Sequence, residues 1–212
     1  MNNELLRLDS VLYKNEFGQP YTISKLKYYV GNIQLKSTSG KYYTCNEYFL
    51  INEEDEISKS IELQNIPIGE YDEIRFLLGV DSLLNCSGAQ SGALDPINGM
   101  FWSWNTGYIF LKLEGNSNSC KTPSNMFEYH IGGYKQPYNS IREMRLNLPN
   151  PILITGFSQS SIQINVAIDE ILKNPNAIDF AETPTITDQS TSSTIADNYM
   201  DLFMVSAVSN EK

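Results

Sequence analysis

His130, in the run "FEYHIGGY", is the single histidine of the chain, and that count narrows the chemistry open to it. A Ser-His-Asp or Cys-His relay would have to pass through this residue, and no GxSxG or comparable nucleophile setting accompanies it. A metal site built from imidazoles alone is excluded. A mixed site remains, in which the imidazole is joined by methionine sulfur, a carboxylate or a modified aromatic. Such a donor set suits copper better than zinc. The plainer alternative is an imidazole that fills its place on a strand.

A second concentration of reactive side chains lies in "GMFWSWNTGYIF", which holds both tryptophans, Trp102 and Trp104. On a strand these two project to the same face, and Met100 joins them there. Three uses fit that arrangement: a wall of a packed core, an aromatic platform for sugar rings, or oxidisable indoles beside a soft metal. Just upstream, "GVDSLLNCSGAQSGALDPING" carries Asp81, Asn85, Asp95 and Asn98. Their oxygens could hold calcium, but no EF-hand spacing is present, and Asx and Gly residues of this kind more commonly shape turns. Cysteines number three, with no CxxC pair. A Cys86–Cys120 disulfide would bracket the tryptophan segment; three unrelated thiols, including Cys45, are the alternative.

Composition closes off other classes. Fifteen basic and 25 acidic residues give a net charge of −10 over 212 residues, which repels a phosphate backbone, so nucleic acid is not an expected partner. No run of about eighteen apolar residues exists, so no transmembrane segment is expected. The N-terminal "MNNELLRLDSVLYKNEF" lacks the apolar stretch of a signal peptide. The protein is therefore expected to be either cytoplasmic or a chain that begins after a removed export signal.

The elements that must position these residues read as strands. Period-two alternation runs through "YTISKLKYYVGNIQLKSTSGKYYTCNEYFLIN", with breaks expected at Gly31-Asn32 and Ser39-Gly40. Further strands are expected at 60–63, near 73–79, in "TGYIFLKLEG", in "MFEYHIGGY", in "MRLNLPNPILITG" and in "SSIQINVAIDEIL". About twenty residues separate the 73–79 strand from the tryptophans, and a loop that long usually carries function. One short turn is expected at "DEILKNP". A helix is expected in "STIADNYMDLFMV", capped by Ser193 or Thr194, with the polar run before it as loop. The fold class is all-β: a β-sandwich with a long loop before the Trp-containing strand and a short C-terminal helix. No internal repeat or linker divides it, so residues 1–212 read as a single domain.

Five blocks, "YTISKLKYYVGNIQL", "IPIGEYDEIRFLLGVD", "GALDPINGMFWSWNTGYIFLKLEG", "FEYHIGG" and "IADNYMDLF", resemble the MbnP-like family, most closely its members in Bacteroidetes-type bacteria. The likeness runs from about Leu8 to Phe203, and "GMFWSWNTGY" is its most specific block. The family is named for a methanobactin-associated periplasmic copper-binding protein. The resemblance implies a β-sandwich exported to the periplasm or, with a lipid anchor, to the cell envelope. It implies a non-enzymatic role in copper handling and a di-haem partner enzyme of the MauG or cytochrome-peroxidase type. That partner would oxidise Trp102 or Trp104 to kynurenine, and His130 would be the imidazole ligand. The chain departs from copper-binding relatives in having one histidine, so further ligands would come from Met100, Met126, Met200, Met204 or the modified tryptophan. The rival expectation is an envelope module that holds a glycan or an apolar molecule without metal.

Overall fold

The computed structural model describes residues 5–102, 107–156 and 159–210. In chain order the strands are β1 (Tyr13–Lys14), β2 (Pro20–Ser37), β3 (Tyr42–Asn52), β4 (Gly69–Leu78), β5 (Phe101–Trp102) and β6 (Gly107–Asn116). They continue as β7 (Met126–Gly132), β8 (Arg142–Ile154), β9 (Ser160–Val166), β10 (Thr185–Ile186) and β11 (Phe203–Asn210). Two short helices, α1 (Ser82–Cys86) and α2 (Gln189–Ala196), and several 3-10 turns complete it. The result is an all-β sandwich, as the sequence pattern implies.

Nine strands form one sheet in the order β10-β7-β6-β2-β4-β8, with β1 and β3 also on β2 and β5 on β6. β2 organises it. Its residues Tyr21, Ile23, Leu26, Tyr28, Val30, Ile33 and Leu35 are buried on one face, the alternation of a strand with one dry side. Residues 22–28 pair with β6, residues 30–37 pair with β4, and β3 runs beside 27–36. One strand thus serves two halves of the sheet. Gly31-Asn32 is not the turn expected from the sequence. It is a register shift inside β2, with Asn32 at φ 49°, a left-handed conformation that Asn tolerates. Ser39-Gly40 does close the β2–β3 hairpin, with Gly40 at φ 83°.

The main core lies between this sheet and a second layer made of the antiparallel pair β9–β11 with the helical turns beside it. Phe203 meets Phe76 edge-on at 5.0 Å, and Phe180 stacks on Phe127 at 4.7 Å. The opposite face of the sheet carries a smaller cluster: Tyr29, Val80, Leu94, Met100, Trp102, Tyr108, Ile109 and Phe110. The long loop between β4 and β5 covers it.

Three further expectations change. Residues 61–68 form no strand; Ile61 and Leu63 lean on the main core, and the Gln64 carbonyl accepts from the Tyr43 hydroxyl at 2.8 Å. The C-terminal helix starts earlier than expected, capped not by Ser193 or Thr194 but by Asp188, whose carboxylate accepts from Thr191 N. The segment after it returns as strand β11. The cysteines are free thiols, so no Cys86–Cys120 bond forms. Cys86 sits exposed at the end of α1 with its thiol 3.5 Å from the Tyr134 hydroxyl, whereas Cys120 is sealed in the main core.

Candidate functional site

The smaller face is built from the alternate residues of three adjacent strands. On β2 these are Lys25, Lys27 and Tyr29; on β6, Phe110, Lys112 and Glu114; on β7, Glu128, His130 and Gly132. Register lines them up in rows: Lys25 opposite Glu114 opposite Glu128, and Lys27 opposite Lys112 opposite His130. One end of the face is apolar and roofed by the loop. The other end is this set of charged side chains.

Glu114 is the hub. It is 8% exposed. Its Oε1 lies 2.8 Å from His130 Nε2 and its Oε2 accepts from Lys25 Nζ at 2.9 Å. The bond to His130, reinforced by Lys25, pulls the Glu114 carboxyl down to about 2 against the opposing effect of burial. An ionised carboxylate only accepts, so His130 Nε2 carries the proton and donates. The hydrogen bond from Lys25 to Glu114 raises the Lys25 pKa. Glu128, across from Glu114, completes a group in which one donor atom from each of Glu114, Glu128 and His130 lies within 4.8 Å of the others. A nitrogen and two carboxylate oxygens at this spacing can hold a metal ion of borderline hardness.

The other two lysines fasten the loop. Lys112 Nζ donates to Gly99 O at 2.5 Å and Lys27 Nζ to Asn98 O at 3.4 Å. Burial lowers the Lys112 pKa. The Asx residues singled out in the sequence do turn-shaping work. Asp81 caps α1 through Leu84 N, and Asp95 caps a 3-10 turn through Ile97 N. Asn98 donates to the Gly92 and Ala93 carbonyls, while Asn85 accepts from Tyr108 N at 3.0 Å. Tyr29 and Tyr108 donate to the carbonyls of Ala93 and Leu94. The loop is thereby bolted over the sheet and delivers Trp102 to it.

Trp102 is 5% exposed and lies over Gly132. A Cβ at Gly132 would stand 2.7 Å from Trp102 Cζ3 and 2.6 Å from Tyr108 O, so only glycine fits beneath the indole. Gly132 is two residues past His130 on the same strand face, about 7 Å along β7 at the usual strand rise. The structure therefore brings His130 and Trp102 to one face. Met100 is fully buried in the smaller cluster, where its side chain packs. Trp104 lies outside the described residues. A buried Trp102 offers no open platform for a sugar ring. Reasoning from the sequence passed over Glu114 and Glu128. Their signal was in the text: each sits at an even spacing from a residue already placed on this face, in "FLKLEG" and "FEYHIG".

Comparison with known proteins agrees with this architecture. The sequence profile of the MbnP family matches residues 1–191. The solved structure of MbnP from Methylosinus trichosporium superposes with a TM-score of 0.50 at 13% identity, over 82% of this chain and 76% of that one. At that identity the likeness is one of fold. No curated protein sequence matches the chain. The profile match spans nearly the whole length, and with the sandwich and the tryptophan-bearing loop it places the chain in the MbnP family.

Proposed function

We propose that this protein is an exported, non-enzymatic binding protein whose cargo is copper. The observation that carries the reading is that His130 and Trp102, one of the two tryptophans the family resemblance marks, occupy one face of one sheet. Beside them stand two carboxylates within reach of the imidazole. The donor set fits a borderline ion, and Glu114, Glu128 and His130 would hold it. Among the described residues no helix is long and apolar enough to cross a membrane, which is compatible with a periplasmic or lipid-anchored location. By the same resemblance, a di-haem peroxidase-like partner oxidises one tryptophan to kynurenine. At position 102 the ring-opened side chain would add its aniline nitrogen and carbonyl to the face that carries His130.

Two measurements test the reading. Metal-free protein titrated with copper should show saturable binding at micromolar metal that weakens in His130→Ala; no binding would defeat the cargo assignment. Peptide mass spectrometry on protein from its native host should map a gain of about 4 Da, the indole-to-kynurenine conversion, to the peptide containing Trp102 and Trp104. Unmodified tryptophans there would remove the oxidative step and leave copper binding standing.

A further inference from the structure

Asn98-Gly99 is the only Asn-Gly pair in the sequence, and it ends the loop that roofs the smaller face. An asparagine carboxamide is open to attack by the next backbone nitrogen, most of all before glycine, which has no Cβ to shield that nitrogen or restrict its approach. In the folded protein both reacting groups are committed elsewhere. The Gly99 N–H donates to Pro96 O at 3.0 Å and closes the 3-10 turn Pro96–Asn98, with Gly99 at φ 70°. The Asn98 carboxamide donates through Nδ2 to Gly92 O at 3.1 Å and to Ala93 O at 2.9 Å. From the sheet, Lys27 Nζ reaches Asn98 O at 3.4 Å and Lys112 Nζ reaches Gly99 O at 2.5 Å. Met100 and Trp102, both buried, follow directly, so this latch is where the loop hands the chain to the tryptophan segment.

We propose that Asn98-Gly99 is a self-modification site: protected while Lys27 and Lys112 hold the loop down, it deamidates once the loop lifts and then keeps the loop from closing. In the lifted loop a solvent hydroxide takes the proton of the Gly99 nitrogen. That nitrogen bonds to Asn98 Cγ, and the Cγ–Nδ2 bond breaks as the amide nitrogen takes a proton from water and leaves as ammonia. Water then opens the five-membered imide. Cleavage at Cγ gives aspartate at position 98; cleavage at the main-chain carbonyl carbon gives isoaspartate, with the chain running through the side-chain carboxyl. The net change replaces NH2 by OH, and water is the only co-reactant. An ionised carboxylate only accepts hydrogen bonds, so both bonds to the Gly92 and Ala93 carbonyls are lost in either product. Isoaspartate also lengthens the main chain by a methylene and shifts Gly99 O from Lys112. This inference does not depend on the copper reading.

The experiment is peptide mass spectrometry of protein aged in mildly alkaline buffer, following the gain of about 1 Da at Asn98 that deamidation produces. The folded chain should react at least about tenfold more slowly than the same chain unfolded in urea, because only the opened loop reacts. Lys112→Met and Lys27→Met each remove one latch bond and should speed the folded reaction about fivefold. Ile152→Val, a buried main-core position on β8, loosens the protein without touching the latch and should leave the rate near that of wild type. Aged protein separated by its extra negative charge should show faster amide exchange across residues 85–102 than fresh protein. Equal rates in folded and unfolded chains, no acceleration in either lysine variant, or equal acceleration by Ile152→Val overturns the protection by the latch. Unchanged exchange in the aged protein overturns the release of the loop.

Discussion

Gly132→Ala tests whether Trp102 lies where the functional reading needs it. The added methyl would stand 2.6 Å from Tyr108 O, 2.7 Å from Trp102 Cζ3 and 2.8 Å from Trp102 Cη2. Unstrained carbon contacts fall at about 3.5–4.0 Å, so the overlap is close to an ångström on both sides. Neither side yields easily. Tyr108 O belongs to β6, whose Ile109 is the ladder partner of Gly132, and the indole is buried. Overpacking of a tight site costs about 1–3 kcal/mol, and resistance from backbone and ring together puts this case at about 2–3 kcal/mol. For a chain of this length that lowers Tm by roughly 5–10 °C. Thermal and urea unfolding followed by circular dichroism would measure it. The double variant Gly132→Ala/Trp102→Phe sharpens the test, because phenylalanine lacks the distal ring atoms that the methyl would strike. The two changes should then be non-additive by about 1 kcal/mol, the double variant being more stable than the sum predicts. A Gly132→Ala protein within about 0.5 kcal/mol of wild type, or strict additivity, would refute the placement of the indole over β7.

Other expectations follow from the same geometry. Because the folded pKa of Glu114 is depressed from 4.5 to about 2, its ionised form stabilises the metal-free protein above about pH 4.5, and that contribution is lost as pH falls toward 2. The shift corresponds to about 3 kcal/mol at most, and solvent at Lys25, 38% exposed, reduces it to about 1–2 kcal/mol. Glu114→Gln should lower the urea midpoint at pH 6 and flatten its decline below pH 4.5; an unchanged acid limb would contradict the His130–Glu114–Lys25 linkage. Burial raises the pKa of Tyr21, Tyr28, Tyr29, Tyr129 and Tyr199. Their neutral forms therefore favour the native state up to about pH 10, the ordinary phenol value, and that stability is lost as pH climbs beyond it. Absorbance at 295 nm should show these phenols ionising together with loss of near-UV dichroism, not before it. With Ellman's reagent, Cys86 should react first and Cys120 only on unfolding. Fewer than three thiols in denaturant without reductant would reveal a disulfide.

Much of the framework was legible in the sequence because a sheet with one dry face writes itself as alternation. β2, β4, β7, β8 and β9 follow that rule, whereas β6 is buried on both faces along most of its length. The misreadings occurred where local pattern and tertiary pairing part company. Residues 60–63 alternate like a strand but find no ladder. Gly31-Asn32 has the composition of a turn yet sits as a bulge, because β3, β4 and β6 together keep β2 extended past it. The "FMVSAVSN" strand was hidden behind a helix signal and is specified by its pairing with β9. The site was half legible. His130 stood out by rarity and Trp102 by clustering, whereas Glu114 and Glu128 are two among 25 acidic residues. Only the β6–β7 register shows that these carboxylates meet the imidazole.

The division of β2 between two half-sheets also bears on how binding would be felt. Its residues 22–28 belong to the ladder that carries the site, and residues 30–37 to the ladder with β4 and β8. Neither half can open without tearing hydrogen bonds from the same strand, so the two should behave as one foldon. Ligand binding adds RT ln(1 + [L]/Kd) to the unfolding free energy. In this topology that increment cannot stay local. Amide exchange at β4 and β8, on strands that contribute nothing to the charged face, should slow by the same factor as exchange at β6 and β7, which makes the far half of the sheet a remote gauge of site occupancy.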